Sequence, residues 1–292
     1  MTPKVICEVG CNHKGDFELA KKMIKVAKQF CEVDVIKFQK RSPKELLSME
    51  EYNKPHPVPE NSYGSTYGKH REFLEFDIKQ HKVLKEFCED IGVEYSSSVW
   101  DIKSAREIVS LSPSLIKIPS AVNNNYNLLE WLYKNYNGDV HISLGMTLEF
   151  EKQRILSIAA KYKKLKNTVL YHCVSGYPVE VRDLYLLEIK NLIDSYGEKI
   201  KAVGFSGHHT GIAADISALT IGAEYIERHF TLDRTWKGTD HAASLEPDGM
   251  RRVVRDLKSV NEALKYKDSE ILDVEKIQRK KLKFKDKISQ SE

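Results

Sequence analysis

GFSGHHTGIAADISALTIGAEYIERHFTLD, residues 204–233, reads as strand, turn, helix, strand. The first apolar run ends in Ser206, His208 and His209, the second in His229, and Asp240 and His241 follow in KGTDHAASLEP. Two strands joined through a helix run parallel, so both polar ends belong to the same edge of a sheet. A lone histidine at such an edge is more often an ordinary loop residue. Two imidazoles on successive strand ends can share one divalent metal, which makes His208 and His229 candidate ligands.

The same alternation runs from end to end. Strand-like runs fall near 3–9, 33–39, 93–98, 114–118, 139–144, 167–173, 200–206 and 223–229. Helical patterns lie at 16–30, 78–90, 101–110, 126–136, 148–163, 182–196, 212–221 and 247–265, with Asp16 placed to cap the first. Eight such units predict an α/β protein with a closed (β/α)8 TIM barrel over residues 1–266. Two stretches break the pattern. Residues 41–77, rich in Pro, Tyr and Gly, read as a lid-like insert after the second strand, and residues 267–292 as a charged, helical C-terminal extension.

Of 292 residues, 41% are hydrophobic, enough for a full core, and no apolar run approaches the ~18 residues of a membrane span. The start, MTPKVICEVG, enters a strand directly, with nothing resembling a secretory leader. Five scattered cysteines predict reduced thiols and a cytoplasmic setting rather than a disulfide framework. A net charge of +4 suits a small anionic substrate; a nucleic-acid partner would call for a denser basic stripe.

Active sites of such barrels lie at the carboxyl ends of the strands. Those ends are polar here: Glu8 with Asn12 and His13; Lys37 and Gln39; Ser97 and Ser98; Lys117 and Ser120; Ser143; Ser175 and Tyr177; Ser206 and His208; His229 with Asp240. Taken singly, each is more often a surface or satisfied core residue. Yet Lys37 and Lys117 sit just before strand ends, where an unpaired inward ammonium is costly. Two lysines and several hydroxyls at one mouth suit a phosphate-carboxylate dianion, and a metal between His208 and His229 could polarise a carbonyl.

At these residues the chain resembles the sialic acid synthase family. The matching stretches are EVGCNHKGDFELAKKMI (8–24), VIKFQK (35–40), TYGKHREFLEF (66–76), LIKIPS (115–120), ISLGMT (142–147), YHCVSGYP (171–178), GFSGHHTG (204–211) and IERHFTLDRTWKGTDHAASLEP (226–247). The resemblance implies a TIM-barrel transferase of sialic-type sugar acid biosynthesis. Such an enzyme condenses phosphoenolpyruvate with an N-acetylmannosamine-like aldose to a 3-deoxy-2-ulosonic acid and releases phosphate. It implies a phosphoenolpyruvate pocket at Lys37, Gln39, Ser98, Lys117, Ser120, Ser143, Ser175, Tyr177 and Ser206. It also implies Mn²⁺ or Mg²⁺ on His208 and His229, Glu8 and Asp240 near the reacting centre, and a homo-oligomer.

Three departures touch the sugar half. Val122 stands where many members carry a glutamate, Ser175 where an asparagine is frequent, and no C-terminal antifreeze-like domain is expected. The insert is the local candidate to finish the acceptor site, through Tyr63, Tyr67, His70 and above all Arg71. Weak discrimination for an N-acetyl group, or a different acceptor, is the resulting expectation. Two rival readings are a Schiff-base aldolase using Lys117, whose amine would need a depressed pKa, and an inactive barrel serving as a binding partner.

Overall fold

The computed structural model describes residues 3–284. Eight parallel strands hydrogen-bond in sequence order into a closed barrel. They are β1 (Lys4–Gly10), β2 (Val35–Lys40), β3 (Glu94–Val99), β4 (Leu115–Ile118), β5 (Asp139–Ser143), β6 (Thr168–Cys173), β7 (Ala202–Gly207) and β8 (Tyr225–His229). The chain folds as the (β/α)8 barrel that its alternation predicts. After β1 comes α1 (Phe17–Gln29), and its cap is the expected one: the Leu19 N–H donates to Asp16 Oδ1 at 3.0 Å.

The insert after β2 holds three short helices, α2 (Pro43–Leu46), α3 (Met49–Asn53) and α4 (Tyr67–Phe73). The remaining barrel helices are α5 (Ile78–Asp90), α6 (Ile102–Ser110), α7 (Tyr126–Asn135), α8 (Glu149–Lys161), α9 (Leu187–Tyr196), α10 (Ala213–Ile221) and α11 (Pro247–Ala263). The helix predicted from residue 182 starts only at Leu187. Residues 181–183 form a 3₁₀ turn, and Tyr185 at φ +45° is off the right-handed helical path.

The chain divides into two compact units, up to Asn261 and from Glu262 onward. In the second, a Lys267–Glu275 ion pair of 2.9 Å ties the first turn of α12 (Asp273–Leu282) to the segment before it. The last part of the extension, 285–292, lies outside the described residues.

Strand parity decides what faces the barrel axis. Ile6, Val35, Leu115, Val169, Tyr171 and Ala202 form one buried cluster, the floor of the barrel. The opposite parity (Cys7, Ile36, Phe38, Ile116, Val140, Leu170, Val203, Ile226) packs outward against the helices as the main core. Because both faces are covered, the strands read as continuous apolar runs rather than alternating ones. On four strands the side chain two residues further along the inward row is charged: Glu8 after Ile6, Lys37 after Val35, Lys117 after Leu115 and Glu227 after Tyr225. The floor thus excludes water beneath a ring of charge.

Candidate active site

The closing strand pair brings the charges together. Glu8 on β1 is in register with Lys37 on β2 at one side and with His229 on β8 at the other. Ser98 is in register with Lys117, and Ser206 with Glu227. Lys37 is 3% exposed and Lys117 1%, so neither ammonium could persist without partners. The partners are present. Lys117 Nζ lies 2.8 Å from Glu227 Oε2; Lys37 Nζ lies 3.7 Å from the same oxygen and contacts Glu8 directly. Lys37 also donates to Ser98 Oγ at 2.9 Å, and Ser206 Oγ donates to Glu227 Oε1 at 3.0 Å.

The two carboxylates are driven apart. Burial, with the Glu227 charge adding to it, raises Glu8 to about 7 against the pull of Lys37. Glu227 is also penalised by burial, but Lys117 and Lys37 outweigh that and hold it well below the usual carboxylate range. Burial draws both lysines down. In Lys37 the two glutamates more than offset it; in Lys117 burial wins, with Lys37 adding to it. Paired groups pushed in opposite directions mark acid-base machinery.

Around this cluster opens a cavity of about 300 Å³. Fourteen of the residues singled out from the sequence line it: Glu8, Lys37, Gln39, Arg71, Ser98, Lys117, Ser120, Ser143, Ser175, Tyr177, Ser206, His208, His229 and Asp240; Asn12, His13 and Ser97 do not. At Gly145 a side chain would collide with the Ser175 and Ser120 hydroxyls, and the Gly145 N–H donates to Ser120 Oγ at 3.0 Å. Backbone and hydroxyls therefore converge there on a volume that only glycine leaves open. From the insert, Tyr67, His70 and Arg71 reach the cavity, as does His56. Tyr63 does not line it. Its ring stacks on Phe73 at 5.3 Å and its hydroxyl donates to the Lys237 carbonyl at 2.5 Å, fastening the insert to the loop after β8.

The two imidazoles fit a shared metal in chemistry. His208 Nδ1 donates to the Val174 carbonyl at 2.9 Å, which leaves the Nε2 lone pair free, and burial lowers its pKa to about 3. His229 Nδ1 is buried with no hydrogen-bond partner, 3.8 Å from Asp240 Oδ2, and the ring centroids of the two histidines are 5.3 Å apart. Neutral imidazoles with an orphaned buried nitrogen suit a cation. No group of three or more His, Cys, Asp or Glu side chains arranged to hold a metal occurs among the described residues. Two protein ligands would leave further positions to substrate oxygens and water. His209, next in sequence, faces away: Arg228 Nη1 donates to its Nε2 at 3.1 Å and holds Asp215 at 2.5 Å, all fully buried.

Glu227 is the residue that sequence reasoning missed. It precedes His229 by two in IERH, which on a strand is the same inward face, and that spacing was the available signal. Val122 does not line this cavity but a smaller one beside it.

The sequence profile of the NeuB family matches residues 23–269. Human N-acetylneuraminate-9-phosphate synthase is 34% identical over 278 residues, 95% of this chain and 76% of that protein. The N,N'-diacetyllegionaminic acid synthase of Campylobacter jejuni is 31% identical over 261 residues, 89% of this chain and 77% of that protein. Among solved structures, the N-acetylneuraminic acid (sialic acid) synthetase of Leptospira borgpetersenii superposes with a TM-score of 0.81 at 28% identity. That match covers 98% of this chain and 94% of the other.

Proposed function

The chain belongs to the NeuB family, and on that footing we propose that it joins phosphoenolpyruvate to an open-chain aldose, giving a sialic-type 3-deoxy-2-ulosonic acid and phosphate. The observation that carries this reading is the buried cluster of Lys37, Lys117, Glu8 and Glu227 beneath a mouth of serine hydroxyls. Lys37 and Lys117 take the phosphate and carboxylate of phosphoenolpyruvate, with Ser98, Ser120, Ser143 and Ser206 completing the contacts. Gln39, Ser175 and Tyr177 shape the pocket where the two substrates meet.

C3 of phosphoenolpyruvate attacks the aldehyde carbon, and the new C–C bond leaves positive charge at C2. The aldehyde oxygen takes a proton, water adds at C2 and loses one, and the tetrahedral intermediate breaks its C–O bond to phosphate as the C2 hydroxyl proton passes to the departing phosphate, leaving a ketone. Glu8, half-ionised near 7, is suited to give the first proton, to face the developing cation as a carboxylate and to accept the second. Asp240 positions the aldehyde or the water. Mn²⁺ or Mg²⁺ on His208 and His229 would polarise the aldehyde carbonyl.

The test is phosphate release from phosphoenolpyruvate with a panel of aldoses; no release with any of them would overturn the reading. The depressed pKa of Lys117 is the one observation favouring a Schiff base. Its ion pair with Glu227 holds the proton on that nitrogen, and borohydride is expected to trap no substrate adduct. We place the reaction in the cytoplasm, on the reduced-thiol pattern of the five cysteines. No helix among the described residues is long and apolar enough to cross a membrane.

Two further outcomes follow from the charges. With Glu8 protonated and Glu227 ionised, two ammoniums face one carboxylate, a net charge of +1; ionising Glu8 takes that to zero. Phosphoenolpyruvate affinity is therefore expected to weaken as pH rises through about 7, read by calorimetric titration. A Kd that is constant across that range removes Glu8 from the pocket's charge balance. Arg71, stacked over Tyr67 at 4.8 Å, lines the cavity from the insert, the side we assign to the aldose. Arg71→Ala is expected to raise KM for the aldose by about tenfold and to leave that for phosphoenolpyruvate nearly unchanged. The opposite split would move Arg71 to the other substrate.

A further inference from the structure

The floor beneath the charged cluster is not purely aliphatic. Tyr171, on β6, is fully buried, and Lys117 Nζ lies over the face of its ring, 3.8 Å from the centroid. The ring is held in place by its surroundings. Its hydroxyl and His141 Nδ1 share a hydrogen bond of 2.8 Å, and the His141 ring in turn meets Tyr225 edge-on at 4.9 Å. On β7, Gly204 is in register with Tyr171, and a Cβ there would lie 2.5 Å from the tyrosine Cε1. Any side chain at 204 would displace the ring. Burial, with the Lys117 charge adding to it, holds His141 well below the usual histidine range, so His141 brings no competing charge to the floor.

The carboxylates alone leave Lys117 under-supported. Glu227 Oε2 is shared by two ammoniums, at 2.8 Å from Lys117 and 3.7 Å from Lys37, while its Oε1 accepts from Ser206. Below about pH 7, with Glu8 protonated, one carboxylate faces two cations. An ammonium carries three N–H donors, and Glu227 takes one from Lys117. An aromatic face attracts the cation as a whole through its quadrupole and occupies no lone-pair direction, so donors stay available to an incoming oxyanion. From this juxtaposition we infer that Tyr171 is a positioning residue: its ring is a platform that keeps the Lys117 ammonium charged and aimed at the oxygens of phosphoenolpyruvate. An aliphatic floor of the same size would offer that ammonium only desolvation. The inference rests on the proposed synthase reaction, in which Lys117 binds phosphoenolpyruvate.

The experiment compares Tyr171→Phe with Tyr171→Leu in the full chain. Both give up the hydroxyl bond to His141, so they differ in the aromatic face alone. Calorimetric titration with phosphoenolpyruvate should give the leucine variant a Kd about tenfold or more above that of the phenylalanine variant, with nearly equal KM for the best acceptor of the aldose panel. A second series covers the case in which the leucine variant does not fold: 4-fluoro-, 3,5-difluoro- and 3,4,5-trifluorophenylalanine placed at position 171. Fluorine draws charge from the ring face while adding little volume, so Kd should rise stepwise along the series at unfolding temperatures close to that of Tyr171→Phe. A Kd that stays flat across the fluorinated rings, or a rise matched by the KM for the aldose, would overturn the platform. Wild-type protein that binds no phosphoenolpyruvate would overturn the reaction itself, so the two failures are distinct.

Discussion

Lys117→Met is expected to cost both catalysis and stability, and the two losses should be separable. The ammonium supplies a charge-assisted contact to phosphoenolpyruvate worth roughly 1.5–3 kcal/mol, or about ten- to a hundredfold in affinity. It is also the closest partner of Glu227, at 2.8 Å and with both side chains buried. Removing one member of such a pair leaves the other charge in the interior, typically at about 3–5 kcal/mol. Lys37 at 3.7 Å and the Ser206 hydroxyl at 3.0 Å remain, which places the cost at the lower end of that range.

The pH dependence has a definite sign. Glu227 has a folded pKa below its unfolded one, so its contribution is present above the ordinary carboxylate range and fades only as pH falls through the depressed value. Without Lys117 that fading should begin at a higher pH, seen as an earlier acid transition in thermal unfolding. Adding Glu227→Gln to Lys117→Met should restore much of the stability and none of the turnover. If Lys117→Met raised only the KM for the sugar, the assignment of this lysine to phosphoenolpyruvate would be wrong.

His208→Ala and His229→Ala are each expected to reduce turnover by about a thousandfold or more while the protein unfolds at nearly the wild-type temperature. His208 gives up one buried hydrogen bond, to the Val174 carbonyl, and the stacking of its ring on Tyr177 at 4.3 Å. The bond is worth about 1 kcal/mol. Calorimetric titration with Mn²⁺ should show binding to the wild-type protein and none to either variant. Chelation should silence the wild type, and Mn²⁺ or Mg²⁺ should restore it. Full activity in rigorously metal-free protein would end the proposal.

His209→Ala is the contrast. It touches the buried Arg228–Asp215 pair rather than the cavity, so it is expected to lower the unfolding temperature and keep substantial activity. An essential His209 beside a dispensable His208 would show that the metal register is shifted by one.

The barrel was legible in the sequence because its elements are local. Eight strands buried on both faces must be apolar runs, and a helix packed on one side must repeat its apolar positions every three or four residues; both periods survive without knowledge of the neighbours. Strand parity carried the site as well. Lys37, Lys117, Ser206 and His229 are inward-facing at strand ends, and the fold brings all of them to one cavity.

The sequence alone could not say what neutralises the lysines. Glu227 lies 110 positions from Lys117 and becomes its neighbour only when β8 closes the barrel against β1. Nor does any period run through 41–77, whose three short helices are set by packing on the rim and by bonds such as Tyr63 to Lys237. The smaller cavity between that insert and Val122 is a product of tertiary structure for the same reason. Its walls come from segments some 75 residues apart, and a cavity between such segments has no counterpart in either one's local pattern.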